Sequence, residues 1–153
     1  MAKGDIVAPQ EEIVRALYVP LWDDAAARAS TQAFMQTDVS VSRTSVLPYE
    51  EIVAVFKADL SDRNHLVVAT AILHVHNVTT ACGQQPDEEK PPSVSVRVVE
   101  DPIADDPAGY CDNPAHSLIQ GRDANNPELP RKLTRGMANR LRNACLIVPV
   151  AAG

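Results

Sequence analysis

The sequence predicts an α+β domain: a small antiparallel sheet with helices packed on one side. Three observations lead there. Val39-Ser40-Val41-Ser42-Arg43-Thr44 and Ser93–Val99 alternate apolar and polar residues, the two-residue period of a half-buried strand. Between them, Ile52, Val53, Val55, Phe56 and Leu60 share one face at helical spacing. Residues 66–80 form the longest apolar stretch and are rich in β-branched side chains.

Taken in order, residues 1–10 read as a flexible leader and 11–150 as the single domain. Glu11 to Leu17 suits a short helix that Pro20 ends. Asp23 to Met35 suits a second, with Asp23 and Asp24 at its N-terminus and Ala25-Ala26-Ala27 supplying propensity. A strand follows at 39–46. Pro48 then opens a helix with Glu50 and Glu51 in its first turn. Leu66–Thr80 reads as one long strand, Cys82–Pro92 as an acidic hairpin-type loop, and Ser93–Val99 as the antiparallel mate of the long strand. Glu100–Gly121 is irregular and punctuated by Pro102, Pro107, Gly109 and Pro114; so long a loop in a compact domain is functional or disordered. A final helix is expected from Asn126-Pro127, with Leu129, Leu133, Met137, Leu141 and Ala144 as its apolar stripe, and residues 146–150 read as either a short strand or an apolar tail.

Composition narrows the function classes. At 153 residues the chain can bury a core without a metal or a disulfide. Only 4% of residues are aromatic, so that core is built from aliphatic side chains. A net charge of −6 argues against nonspecific nucleic-acid binding, which needs a basic footprint. Three widely spaced cysteines make no disulfide framework and suggest a reducing, cytoplasmic setting. No apolar run approaches the ~20 residues that span a bilayer. Glycine-rich phosphate cradles and Cys-x-x-Cys pairs are absent, and no cofactor is expected.

Candidate sites remain. Asp112-Asn113-Pro114-Ala115-His116 closes the long loop; its turn chemistry aims His116, the natural proton shuttle near neutral pH, with Asp112 placed to orient it, although the simpler expectation is that His116 pins the loop by a hydrogen bond to a backbone carbonyl. Ser117 or Cys111 would be the nucleophile, although no nucleophile motif surrounds either. His74 and His76 fall on one face of the expected strand, a spacing that can present two imidazoles to a metal, with His116, Asp112, Cys82 or Cys111 as the third ligand. The bland alternative is a solvated sheet face. Arg43 suits either a carboxylate or phosphate ligand or a cross-strand ion pair, and the ion pair is the simpler expectation. Arg131, Lys132, Arg135, Arg140 and Arg142 place five of the 14 basic residues within twelve positions. On a continuous helix Arg131, Arg135 and Arg142 fall on nearly one side, suited to an acidic protein partner. The expected function is therefore a non-enzymatic accessory or protein-interaction domain, with partner binding or self-association. The alternative is a small hydrolase- or transferase-type enzyme centred on His116 and Asp112, metal-assisted through His74 and His76.

Overall fold

A computed structural model describes residues 3–83 and 94–151. The described residues form nine strands: β1 Glu12–Leu17, β2 Trp22–Asp23, β3 Arg28–Ala29, β4 Asp38–Arg43, β5 Ala69–His74, β6 Val94–Glu100, β7 His116–Asp123, β8 Asn126–Pro130 and β9 Leu146–Pro149. The helices are α1 Tyr49–Ser61, α2 Val75–Gly83 and α3 Arg135–Ala144, with a 3-10 helix at Thr31–Phe34. The main sheet runs β6-β7-β4-β1-β5-β9, with β8 paired to β7, and every pairing is antiparallel. The α+β class is thus observed, as one compact body.

The helices cover both faces rather than one. Ala16 and Thr70 are register partners on β1 and β5, so they share a face, and the Tyr49 hydroxyl of α1 lies 2.7 Å from Thr70 Oγ1 on that face. The opposite face carries Ile13, Leu17, Ala71 and Leu73. It packs against Val75 and Val78 of α2, Met137 and Leu141 of α3, and Phe34, all in one buried cluster. A central strand buried on both faces has no polar side to show. That is why Glu12–Leu17, expected as a helix, is strand β1 with five buried residues in its six.

Two other expected helices yield to local hydrogen bonding. Asp23 Oδ1 accepts from Ala26 N at 3.2 Å and Ala27 sits at φ 52°, so the alanine triplet forms the turn of the β2–β3 hairpin instead. Asn126 is likewise a hairpin residue: Asp123 Oδ1 accepts from Asn125 N and Asn126 N, closing the β7–β8 turn. The last helix starts at Arg135, where Thr134 Oγ1 accepts from Met137 N at 3.2 Å.

The expected pairing of residues 66–80 with 93–99 is also replaced. The apolar stretch divides into β5 and α2, because Val75, Val78 and Cys82 recur at helical spacing and are buried together. Helix α2 carries the chain away from β5, so β5 pairs with β1 and β9 while β6 pairs with β7. The acidic loop expected at 82–92 lies outside the described residues beyond Gly83. Within residues 1–10, Gly4 N and Val7 N donate to Glu100 O and Val98 O, Ile6 bridges Val99, and Val7 is 1% exposed.

Gly121 on β7 marks a close approach. A Cβ there would lie 2.2 Å from Arg131 O, a backbone atom that cannot rotate away. Gly121→Ala is expected to destabilise the protein by about 2–3 kcal/mol, read as a lower urea midpoint with an unchanged slope.

Candidate functional site

A cavity of about 320 Å³ lies between α1, the β1–β4 part of the sheet and the loop at 101–115. Its apolar wall is Val55, Phe56 and Leu60 of α1, Ala16 of β1, and Ile103 and Tyr110 of the loop. Those helix residues are only half-buried because they overhang this space, whereas Ile52, one turn earlier, is fully buried. Polar residues from separate segments line the same cavity: Arg15, Gln36, Ser40, Asp59, Asn113 and His116.

The loop is fastened to α1. Cys111 N donates to Asp59 Oδ1 at 2.8 Å. Arg63, just past the helix, donates to Asp59 O and Ala108 O and stacks on the Tyr110 ring, 3.8 Å from its centroid. Beside Asp59 the Cys111 thiol is held above its ordinary pKa, first by the hydrogen bond to that carboxylate, and so stays a neutral thiol.

His116 begins β7 at the cavity. Its Nδ1 lies 2.8 Å from Asp101 O and 3.1 Å from Asp101 Oδ2. Both neighbours are acceptors, so Nδ1 carries a proton, and in the neutral ring Nε2 is the basic nitrogen. Nε2 has no hydrogen bond among the described residues. Asp112, expected to orient His116, instead accepts from Asp105 N at 2.9 Å and shapes the loop. Asp101 takes that role because Asp101 N donates to His116 O, which sets the two backbones side by side. Ser117, on the opposite face, donates to Ala115 O and is fully buried.

Arg15 is the residue that sequence reading missed. The β1–β4 ladder has only two register pairs, Ile13↔Arg43 and Val14↔Ser42. Past Val14 the guanidinium takes over, with Nε donating to Ala33 O at 3.2 Å and Nη1 to Ser40 O at 3.1 Å. Arg15 is 7% exposed and has no carboxylate partner among the described residues. Burial pulls its pKa down to about 10, still far enough above neutrality to keep it charged. The available signal was a single charge inside Ile13-Val14-Arg15-Ala16-Leu17, an otherwise apolar run.

The remaining sequence candidates do not meet here. His74 ends β5 and His76 lies in the first turn of α2; both are exposed and border a shallow hollow with Pro9 and Gln10. Among the described residues no group of three His, Cys, Asp or Glu side chains is placed to hold a metal. Arg131 precedes α3 and pairs with Asp123 Oδ2 at 2.9 Å, so it shares no helical face with Arg135 and Arg142. Arg43 is consumed within the fold: Nε and Nη2 donate to the two Glu11 oxygens at 2.8 Å each, and Nη1 pairs with Glu100. No helix among the described residues is long and apolar enough to cross a membrane. Comparison with protein-family models, with curated proteins and with solved structures finds no match to this chain.

Proposed function

We propose that this chain binds a small organic molecule in the cavity beneath α1. The observation that carries the reading is the composition of that cavity, an apolar wall from the helix and loop facing a few polar groups that converge from separate elements. Its volume of about 320 Å³ suits a compact molecule rather than a peptide. The Arg63–Tyr110 stack and the Asp59–Cys111 hydrogen bond support the same reading, since they hold the outer wall in place before any ligand arrives. This moves the contact away from the arginines of the last helix, because Arg131 lies off that helix.

The test is a ligand-observed NMR screen of small aromatic and aliphatic fragments on the full chain, with backbone amides as the site readout. Bound fragments should shift the amides of Ala16, Phe56 and His116. Val55→Trp, which fills the cavity from α1, should abolish those shifts while leaving the fold intact. A screen in which no fragment moves those amides, or in which Val55→Trp binds as the wild type does, would overturn the proposal.

A further inference from the structure

Resting on that reading of the cavity, we infer that its ligand is a monocarboxylate with a small apolar body, whose carboxylate is received by Arg15. A guanidinium taken out of water is strongly disfavoured unless its donors are used and its charge is met. Arg15 meets half of that requirement. Nε and Nη1 are bonded to main-chain carbonyls, which fix the planar fork, whereas Nη2 has no hydrogen bond among the described residues. Among the described residues no carboxylate pairs with the group, and Arg15 is one of the residues that line the cavity. An oriented, buried, uncompensated guanidinium at the floor of a pocket is an oxyanion receptor.

The rest of the cavity selects among oxyanions. Asp59 lines it on the α1 side, so a phosphate dianion would gain one arginine and meet one carboxylate. A single negative charge is matched by Arg15 alone. Phe56, Leu60 and Ile103 then cover a hydrocarbon body, to which they offer area but no hydrogen bonds. His116 Nε2 and Ser40 Oγ remain for a polar substituent on that body.

Benzoate and benzamide decide the matter, being nearly the same shape with and without the charge. Titrated into the full-length chain and followed by amide shifts, benzoate should move Ala16 and Phe56 at a Kd about tenfold or more below that of benzamide. Inorganic phosphate at the same concentrations should leave those amides in place. Arg15→Lys keeps a cation but loses the fork, and should cut the benzoate preference to a fewfold; Arg15→Met, if it folds, should erase it while benzamide binding persists. Benzamide binding as tightly as benzoate would overturn the carboxylate assignment and leave the cavity as a binding site. Phosphate displacing benzoate would overturn the monoanion selection. Neither organic probe reaching the cavity would overturn both this inference and the reading it rests on.

Discussion

Arg43→Met is expected to lower the unfolding free energy by about 3–5 kcal/mol, among the largest losses a single side chain in this fold can cause. Arg43 is 4% exposed and Glu100 is 3% exposed. Glu100 already has one oxygen, Oε2, buried without a hydrogen bond among the described residues. Without the guanidinium its carboxylate is left in the interior with no counter-charge. Against a typical total stability of ~5–15 kcal/mol, that loss leaves a marginal fold. Adding Glu100→Met should recover the part of the loss that comes from the stranded Glu100 carboxylate, while Glu11 still lacks its arginine partner. Urea unfolding of the single and double variants checks both statements. Acid sensitivity should change too. Burial on its own would raise the Glu11 carboxyl, but hydrogen bonds from Arg43 and Ser45 outweigh it and hold the pKa below its ordinary 4.5. A lowered acid stabilises the fold fully above 4.5 and loses that contribution as pH falls through its folded-state value. The acid limb of the stability curve should therefore be shallower in Arg43→Met than in the wild type.

Phe34→Ala should cost about 3–5 kcal/mol as well, for a different reason. Phe34 is a fully buried aromatic on the 3-10 helix, set in one cluster with Leu133, Met137 and Leu141. The loss reaches the cavity through the backbone, because the preceding residue, Ala33, supplies the carbonyl that receives Arg15 Nε. Phe34→Leu should cost roughly a third as much. Urea midpoints measure the stability change, and displacement of the Arg15 Nε–H resonance measures the second effect.

Strand β4, helix α1 and strand β6 are legible in the sequence, and all for one reason: each has one face that differs from the other. Residues 39–43 alternate, α1 follows Pro48 with glutamates in its first turn, and β6 alternates through Val94, Val96 and Val98. Elements without that asymmetry are misread. Strand β1 is buried on both sides, and the stretch through β5 and α2 stays apolar while its backbone changes from strand to helix. Turns built by Asp23 and Asp123 depend on which amides their carboxylates capture, and that competes closely with helix capping. His116 is legible because turn residues crowd ahead of it; its partner is not, since Asp101 lies fifteen residues earlier and reaches it only when the loop folds back. Arg15 was visible as a charge in an apolar run, but its meaning depends on the carbonyls of Ala33 and Ser40, which the fold alone brings to it.

Strand β1 meets β5 through six register pairs and β4 through two. The sheet order divides at this short junction into β6-β7-β4 on one side and β1-β5-β9 on the other. Arg15 acts as a stay beyond that junction, anchored on β1 and tied to a carbonyl of β4. The cavity floor straddles the parting line, with Arg15 and Ala16 from one side and Ser40 from the other. A molecule seated there would brace both sides of that junction against twisting, and the rigidity of the sheet would then depend on its occupant.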